Sequence, residues 1–432
     1  RFHEREYDIW LVGAGVRNLL LDKPITGPDF TTNAKPEEIQ KLFEETFYEN
    51  NFGTVGIPVD EEIYEVTTYR TEQGYSDKRR PDKVSWGKTL EEDLARRDFT
   101  INSMVIGLDK PKKKDLRFVD PFDGRKDLEN KIVRAVGVAD ERFGEDALRM
   151  MRAIRIAAQL GFSIETKTFA AIQKNAGLLN HVSRERVRDE LVKIIAGDYP
   201  ADGVQLLFSA GLLEYIIPEM ILMRGVKQIG HHIYDVWTHS IEALRGCPSS
   251  DVIVRLATLL HDIGKPATAK PRDGKEVTFY GHEVVGARMV KQIAERLKFS
   301  RKDIDKLWLL VRWHMFAYNP EMTDAAVRRF IRRVGVGNIN DMMMLRVGDR
   351  VGGGSKSTSW RLRELQERVG TQLYEPLTVK DLKIDGHDVM KVLKIKPGPK
   401  IGEILNGLFE EVLEDTSKNE REYLLERIKA QK

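Results

Sequence analysis

The sequence predicts an α+β protein in which a mixed α/β head precedes a long, almost entirely helical body. Short runs of β-branched and aromatic residues near the N-terminus are typical of strands. From about Glu141 onward, apolar residues recur with the helical period of 3.6. The chain has 432 residues. This length exceeds what one hydrophobic core usually serves, so we expect roughly two to four domains.

The elements of the head follow from these patterns in order. Residues 8–12 read as a short buried strand that ends at Gly13, and a helix follows from Val16 to Leu21. The segments 51–59 and 63–69 are rich in β-branched and aromatic residues, which predicts two further strands. The polar and charged segment 71–84 is predicted to be a solvated connection.

Composition limits the partners of the chain. The 70 Lys and Arg residues nearly balance the 67 Asp and Glu residues, with a net charge of +3. Contact with nucleic acid would therefore depend on local basic patches. The residues Arg328, Arg329, Arg332 and Arg333 form one predicted basic stripe, which is either a solvated face or a contact with an RNA backbone.

Two further features bear on the compartment. A single cysteine, Cys247, excludes an intramolecular disulfide and favours a reducing compartment, so we predict a cytoplasmic protein. No run of eighteen apolar residues is present, which predicts that the chain does not span a membrane.

A glycine-rich turn follows the first predicted strand. Gly13, Ala14 and Gly15 are small residues between that strand and the next helix, where backbone N–H groups can approach a phosphate closely. Such turns also occur without any ligand, so the loop alone leaves both interpretations open. The segment that follows, residues 25–34 with the sequence ITGPDFTTNA, favours the phosphate-binding interpretation.

Together these segments resemble the nucleotidyltransferase superfamily, and most closely the bacterial class II CCA-adding enzymes and poly(A) polymerases. The resemblance implies a nucleotidyltransferase-type head that joins C and A from CTP and ATP to the tRNA 3′ end. It implies that Gly13, Ala14 and Arg17 bind nucleotide, and that Asp29 and Glu65 are catalytic carboxylates, with Asp29 a ligand of Mg²⁺. In that family two Mg²⁺ ions lower the pKa of the 3′-hydroxyl and clamp the triphosphate.

The same motif departs from the family at three positions. The family reads Gly-Gly, then Val-Arg-Asp, then Asp-x-Asp, whereas this chain has Ala14, Asn18 and Gly27 at the second glycine, the first aspartate and the first paired carboxylate. Loss of one paired carboxylate weakens the attraction for two cations. The third family carboxylate corresponds to Glu65, which could equally be an outward-facing charge on an edge strand.

A second motif, residues 91–102, also resembles the family. The resemblance implies that Arg97 neutralises phosphate and that Asp98 accepts a hydrogen bond from a ribose hydroxyl. The alternative interpretation is the charged start of a helix with ordinary ion pairs.

Residues 145–155 predict how a base is chosen. Asp146, Arg149 and Arg152 recur at spacings of three, which predicts side chains on neighbouring turns of one helix. Cytosine and adenine both present an amine donor beside a ring-nitrogen acceptor, which a carboxylate and a guanidinium can pair with; guanine and uracil do not. Without the resemblance this pattern would indicate a surface helix with ion pairs. Arg155 is a further candidate nucleotide-binding residue.

A second constellation resembles the HD metal-dependent phosphohydrolases. The motif residues are His239, His261, Asp262 and Asp349, which the resemblance implies are ligands of Mn²⁺, Ni²⁺, Co²⁺ or Mg²⁺. The accessory histidines His282 and His314 complete a second metal site or bind phosphate in this interpretation. The alternative is a set of core histidines with structural hydrogen bonds.

These motifs divide the chain into a nucleotidyltransferase head (1–137), a neck with the base-reading helices (138–197), a body with the HD metal domain (198–352) and a helical tail (353–432). Three hypotheses follow. The chain is a tRNA nucleotidyltransferase with an altered head motif, an HD phosphohydrolase whose inactive head binds RNA, or a non-catalytic tRNA-binding protein. The sequence leaves the oligomeric state open.

Overall fold

A computed structural model describes residues 1–48, 53–73, 83–87, 89–108, 116–228, 233–272, 276–316 and 318–431. The chain forms two compact units: Arg1–Ile221 with Arg296–Lys298, and Leu222–Glu295 with Phe299–Lys432. The first unit carries a six-stranded sheet and the second is mainly helical, so the predicted α+β class is confirmed. The finer division into head, neck, body and tail stays a prediction.

The strands of the first unit include strands within the predicted segments 8–12, 51–59 and 63–69, of which residues 51 and 52 lie outside the described part of the chain. They are β1 (Ile9–Val12), β2 (Asp29–Thr32), β3 (Thr54–Val59), β4 (Glu62–Thr68), β5 (Arg70–Gln73), β6 (Lys83–Trp86), β7 (Val105–Leu108), β8 (Arg117–Val119), β9 (Ile132–Val133) and β10 (Ser163–Ile164). The main sheet has the order β3-β4-β2-β1-β7-β8, in which β2 and β4 run parallel and the other neighbours are antiparallel. Apolar side chains on both faces, such as Trp10 and Val66, are buried.

The predicted connection at 71–84 is partly wrong. Its two ends pair with each other as the antiparallel strands β5 and β6, with Thr71 opposite Ser85. Backbone pairing therefore extends into a segment whose polar composition indicated a solvated connection. Residues 74–82 lie outside the described part of the chain.

The helices of the first unit frame the sheet and continue beyond it. They are α1 (Ala14–Leu20), α2 (Pro36–Leu42), α3 (Leu90–Ala95), α4 (Gly124–Glu129), α5 (Ala139–Glu145), α6 (Leu148–Leu160), α7 (Thr166–Asn175), α8 (Arg184–Ala196), α9 (Pro200–Ser209) and α10 (Leu213–Ile216). Helix α6 buries a continuous apolar stripe that includes Met150, Met151 and Ile154. It ends at Gly161, whose φ of 67° is the left-handed conformation that commonly closes a helix.

In its described residues, the second unit consists of helices and one antiparallel pair of short strands. Its elements are α11 (Val236–Arg245), α12 (Val252–Leu260), α13 (Lys265–Thr268), β11 (Lys270–Arg272), β12 (Glu276–Thr278), α14 (His282–Arg296), α15 (Arg301–Trp313), α16 (Asp324–Val334), α17 (Ile339–Gly352), α18 (Trp360–Gln372), α19 (Gly386–Leu393), α20 (Pro399–Glu414) and α21 (Arg421–Lys429). Among the residues described, no helix is long and apolar enough to cross a membrane.

Two glycines bring α17 close to α11. A β-carbon at Gly348 would lie 2.7 Å from the carbonyl oxygen of Ala243, and one at Gly352 would lie 2.5 Å from that of His239. Such distances exclude a side chain at either position. Glycine therefore allows the approach that places Asp349 beside His239.

The predicted solvated face of α16 is wrong for Arg328, whereas Arg332 and Arg333 are exposed. Arg328 is only 4% exposed and donates to the carbonyl oxygens of Leu413 and Glu414, at the C-terminal end of α20. Carbonyls in the last turn of a helix lack partners within that helix, so this guanidinium satisfies them. Arg332 pairs at 2.5 Å with Glu410, which also lies on α20. These arginines hold the tail helix in place.

Candidate functional site

The glycine turn of the head faces a cation and a carboxylate. Gly13 precedes α1 and has a φ of 71°, which glycine adopts without strain. A β-carbon there would lie 3.5 Å from Arg97 Nη1 and 3.9 Å from Asp29 Oδ2. The structure therefore brings these three predicted residues together at the end of β1, with Ala14 as the first residue of the helix.

The two predicted catalytic carboxylates are neighbours. Asp29 on β2 is in register with Glu65 on β4, and residues paired in this way lie on the same face of a sheet. Both residues are accessible to solvent, while the surrounding protein partly shields the Asp29 carboxylate. Strand β4 lies between β3 and β2, so the alternative of Glu65 on an edge strand is wrong. Partial burial raises the pKa of Asp29 above its ordinary value, although Arg97 and Arg152 oppose this shift.

Gly27 leaves open space at the position of the missing carboxylate. It has a φ of 59°, and a β-carbon built on it would meet no atom within 4 Å. Aspartate and asparagine tolerate this left-handed conformation better than other side chains. The backbone at Gly27 is therefore compatible with the carboxylate that the resembling family carries there.

Asp93 orients Arg97, a role that sequence reasoning missed. The Asp93 carboxylate is fully buried and accepts from Arg96 Nη2 at 2.6 Å, from Arg97 Nη2 at 3.1 Å and from Thr31 Oγ1 at 3.2 Å. Burial by itself would raise the pKa of Asp93, but Arg97 and Arg96 outweigh it and lower that pKa. The fixed charge keeps Arg97 aimed toward the glycine turn. The signal available in the sequence was an aspartate four residues before the predicted arginine, a spacing at which side chains on a helix pair.

Asp98 is engaged by protein groups. Its carboxylate accepts from Arg152 at 2.5 Å, from the backbone N–H of Phe99 at 2.9 Å and from Asn102 Nδ2 at 3.3 Å. Burial alone would raise the pKa of Asp98, but Arg152 and Arg149 reverse the effect and lower it to about 2. The carboxylate is therefore ionised near neutral pH and ties the second motif to α6. Its predicted contact with ribose stays a prediction.

The predicted base-reading residues do not all lie on one helix, so that expectation is wrong. Asp146 has φ and ψ of −139° and 105° and precedes α6, which begins at Leu148. Its Oδ1 accepts from the N–H of Leu148, and Arg186 on α8 binds both carboxylate oxygens, at 3.2 and 2.7 Å. Arg149 lies within α6 and donates to Glu145 at 2.5 Å. Both side chains therefore have protein partners that define their positions.

Arg17 and Arg155 are both held by neighbouring side chains. Arg17 Nη1 donates to Asn102 Oδ1 at 2.9 Å, and Asn18 also accepts from its guanidinium. The Asn18 departure therefore retains a contact with Arg17. Arg155 lies 2.7 Å from Glu190, which is buried. Their predicted contacts with nucleotide stay predictions.

Six side chains converge in the second unit. His239 comes from α11, His261 and Asp262 follow α12, His282 begins α14, His314 follows α15 and Asp349 lies on α17. Helix α11 is capped by Asp235, whose carboxylate accepts from the N–H of Thr238, and α12 is capped in the same way by Asp251. The ends of several helices thus supply the predicted HD residues.

The histidines present one ring nitrogen to the centre. Nδ1 of His261, His282 and His314 lies 2.7, 2.8 and 2.8 Å from the carbonyl oxygen three residues earlier in each case. A carbonyl can only accept, so each Nδ1 carries the proton and donates it. The lone pair is then on Nε2, which faces the cluster, and this is the tautomer that binds a metal.

Asp262 joins two groups of ligands. Its Oδ2 lies 3.3 Å from His239 Nε2 and 3.1 Å from His261 Nε2, while its Oδ1 lies 3.3 Å from His282 Nε2 and 3.8 Å from His314 Nε2. All five side chains are buried. A carboxylate that directs one oxygen to each group of histidines is suited to bridge two cations.

Two carboxylates, Lys265 and Arg346 set the charge of this centre, with Arg346 Nη1 2.6 Å from Asp349 Oδ2. Asp349 Oδ1 is 3.3 Å from His239 Nε2, and Lys265 Nζ is 2.6 Å from Asp262 Oδ2. Burial would lower the pKa of His261, but Asp262 and Asp349 outweigh it and raise that pKa to about 10. The same two carboxylates would attract a bound cation. Lys265 was missed by sequence reasoning, although it follows the His-Asp pair by three residues.

The two sites differ in how many ligands they offer. Within the described part of the chain, the groups of three or more His, Cys, Asp or Glu side chains with ligand atoms within 4.8 Å of one another are His239-His261-Asp262 and Asp262-His282-His314. The head offers the neighbouring pair Asp29 and Glu65. The histidine and aspartate ligands of the second unit therefore fit divalent cations. In the head, the two carboxylates Asp29 and Glu65 fit a cation that is held by fewer protein ligands.

Comparison with known proteins first defines the class. Residues 9–134 match the family model of the Poly A polymerase head domain, and residues 229–346 match the HD domain. Residues 161–223 match the "Probable RNA and SrmB- binding site of polymerase A", and residues 288–428 match tRNA nucleotidyltransferase domain 2. The chain thus joins a head of the nucleotide-polymerising type to an HD domain.

Relatives that cover the whole chain then define the family. The CCA-adding enzyme of Pediococcus pentosaceus is 33% identical over 429 residues, 98% of this chain and 94% of that protein. An A-adding tRNA nucleotidyltransferase of Deinococcus radiodurans is 34% identical over 83% of this chain and 82% of its own length. The Bacillus stearothermophilus CCA-adding enzyme in complex with CTP matches with a TM-score of 0.74 at 26% identity, covering 100% of this chain and 95% of that one. The chain belongs to the CCA-adding enzyme family of tRNA nucleotidyltransferases.

Proposed function

We propose that this chain adds C and A to the 3′ end of tRNA, with CTP and ATP as substrates. The observation that carries the proposal is the position of the glycine turn, the Arg97 guanidinium and the Asp29–Glu65 pair. They lie together at one end of the central strands of the head sheet. This arrangement combines a place for phosphate with carboxylates for a cation. The family to which the chain belongs supports the choice of substrates.

In this proposal Asp29 and Glu65 hold Mg²⁺. When bound, the ion lowers the pKa of the attacking 3′-hydroxyl and neutralises charge on the triphosphate. Arg97, held by Asp93, binds the phosphates beside the backbone of Gly13. Because a guanidinium stays charged at all working pH values, Arg97 provides this neutralisation without a proton transfer.

Asp146 and Arg149 choose the base in this proposal. Asp146 accepts from the exocyclic amine of cytosine or adenine, and Arg149 donates to the adjacent ring nitrogen. Uracil and guanine present a carbonyl and an N–H at the corresponding atoms, so both contacts would be repulsive. Asp146 must exchange part of its contact with Arg186 for the base, which gives Arg186 the role of a positioning residue.

A primer-extension assay tests this function. A tRNA transcript that lacks its 3′ CCA is incubated with the full chain, Mg²⁺ and one labelled nucleotide at a time. We expect incorporation of C, and of A once C is present, with loss of both in Asp29→Asn. Absence of incorporation by the wild type and by Gly27→Asp would contradict the proposal.

A second activity is favoured by the complete set of ligands in the HD centre. We propose that His239, His261, Asp262 and Asp349 hold one transition-metal ion, such as Mn²⁺, Ni²⁺ or Co²⁺, and that His282 and His314 share Asp262 with a second. Such ions activate water for attack on phosphoesters when bound. The buried, carbonyl-bonded imidazoles keep their Nε2 atoms directed at the centre, which supports hydrolysis of 2′,3′-cyclic phosphates or nucleotides.

Ring opening of 2′,3′-cyclic AMP by water to adenosine monophosphate, with Mn²⁺ or Ni²⁺ present, tests this second activity. The monophosphate is detected through the inorganic phosphate that an added phosphatase releases from it. Turnover by the wild type should disappear in His261→Ala and remain in Asp29→Asn, whose change is confined to the head. If the wild type gives no turnover with either metal, the HD centre has no such activity. We also propose a cytoplasmic location, which the availability of tRNA and the buried single thiol of Cys247 support.

A further inference from the structure

The C-terminal end of α3 accepts hydrogen bonds from two guanidinium groups of the base-reading segment. Arg142 Nη1 donates to the carbonyl oxygen of Ala95 at 3.3 Å, and Arg149 Nη2 donates to that of Arg96 at 3.1 Å. Ala95 is the last residue of α3, and Arg96 follows it directly. Carbonyls at this end of a helix lack partners within the helix and carry partial negative charge, which favours cationic donors. The two arginines are therefore held by adjacent carbonyls of one helix end.

One carboxylate joins the same two arginines. Glu145 Oε1 lies 2.7 Å from Arg142 Nη2, and Glu145 Oε2 lies 2.5 Å from Arg149 Nη1. The three side chains are between 12% and 20% exposed, so water competes little with these contacts. Because each oxygen has its own guanidinium, Glu145 does not turn both oxygens toward Arg149 while Arg142 is in place.

The same helix carries the residue that orients the proposed phosphate contact. Asp93 lies on α3 and accepts from Arg97 Nη2, and the Arg97 guanidinium faces the glycine turn. The end of α3 thus connects the position of Arg97 with that of Arg149. A nucleotide that contacts both guanidiniums has its triphosphate and its base a set distance apart. The contacts of Arg142 with α3 and Glu145 therefore bear on where the base is read.

We propose that Arg142 is a positioning residue for base choice, which shares the Glu145 carboxylate with Arg149 and anchors α5 to the end of α3. The inference rests on the proposed function of the head, in which Asp146 and Arg149 read the base. Arg142 acts through Arg149, by keeping that guanidinium directed at the ring nitrogen of cytosine or adenine.

Removal of Arg142 changes the partner of Glu145. The freed carboxylate can take the Arg149 guanidinium in the bidentate geometry that these two groups favour. That movement withdraws the Arg149 donor from the ring nitrogen of the base. The phosphate contact at Arg97 depends on Asp93 and is retained. We therefore expect a loss of base preference while the triphosphate is still bound.

Nucleotide binding without tRNA tests this role separately from catalysis. CTP and UTP are titrated in turn into the full chain with Mg²⁺ by calorimetry. Both ligands carry the same sugar and triphosphate, so the ratio of their Kd values reports the choice of base. Two charge-assisted hydrogen bonds favour cytosine, so we expect the wild type to bind CTP about tenfold more tightly than UTP, or better. Arg142→Met should lose most of this preference through weaker binding of CTP.

Three further variants distinguish positioning from a general loss of structure. Arg142→Lys keeps a charge but not the forked donor, so it should show an intermediate preference. Arg125→Met removes a partner of Glu129 in a pair whose side chains are 63% and 64% exposed, and it should retain the wild-type preference.

The third variant adds Glu145→Gln to Arg142→Met. A neutral amide does not draw Arg149 away as a carboxylate does, so the double variant should recover part of the preference for CTP. A purely structural role predicts instead that the double variant binds CTP no better than Arg142→Met. If Arg142→Met does not fold, the intermediate preference of Arg142→Lys decides the question.

Two results overturn the inference: equal Kd values of CTP and UTP for the wild type, or the wild-type preference in Arg142→Met or Arg142→Lys. The addition of C and A to tRNA is decided by the primer-extension assay. A wild type that adds no nucleotide removes the proposed function, whereas the binding preference of the variants still decides whether Arg142 positions Arg149.

Discussion

Gly27→Asp should restore the missing carboxylate of the head and lower its requirement for Mg²⁺. The backbone at Gly27 has a φ of 59° and open space around the β-carbon, so the new side chain fits. The left-handed conformation costs about 1 kcal/mol of folding stability, which a folded domain tolerates. One further unit charge about 4 Å from a cation contributes about 1 kcal/mol in water and about 4 kcal/mol at an effective dielectric constant of 20.

The exposed Asp29–Glu65 site lies between these limits, so we expect the half-saturating Mg²⁺ concentration for tRNA extension to fall by about tenfold or more. Extension rates are measured over a Mg²⁺ series for the wild type, Gly27→Asp and Gly27→Asn. Asparagine matches the size and backbone tolerance of aspartate but carries no charge, so it should leave the requirement unchanged. Equal behaviour of the two variants would refute the electrostatic reasoning.

The remaining predictions concern base choice, metal content and stability. Asp146→Asn should raise the incorporation of U relative to C by about tenfold or more in single-nucleotide extension, because a charge-assisted contact is lost; an unchanged ratio would argue against this reader. His282→Ala should lower bound Mn²⁺ from two to one per chain by elemental analysis, whereas Asp262→Asn should lower both; two ions in each variant would exclude a shared carboxylate. Arg328→Met should lower the free energy of unfolding in urea by about 2–4 kcal/mol, because carbonyls at the end of α20 lose their donor, and Arg332→Met by less than about 1 kcal/mol; equal effects would contradict the assigned burial.

Local patterns predicted the head well. Alternating β-branched and aromatic residues indicated the strands at 51–59 and 63–69, and the structure has β3 and β4 there. The order of the motifs also indicated which side chains meet, since Asp29 lies beside Glu65, and His239 beside His261, Asp262 and Asp349. Each of these residues lies in a short motif, so the motifs and their order were enough to indicate which side chains meet.

Contacts between distant segments were not predictable in this way. A spacing of three placed Asp146 on the helix of Arg149, but the backbone leaves the helical region at Asp146. Its carboxylate accepts from the N–H of Leu148 at the start of α6 and binds Arg186, forty residues later. Arg328 looked solvated because its spacing says nothing of α20, more than eighty residues further along the chain. Burial of a charged side chain depends on the partner that arrives from elsewhere in the sequence.

The central claim is that protein side chains in this head choose C and A for the tRNA 3′ end. The most direct test gives the wild-type chain a tRNA lacking its 3′ CCA together with all four nucleoside triphosphates at equal concentration, and reads the added nucleotides by sequencing the 3′ ends. We expect additions composed of C and A, with G and U rare. Additions in which G and U are as frequent as C and A, or no additions at all, would contradict the account.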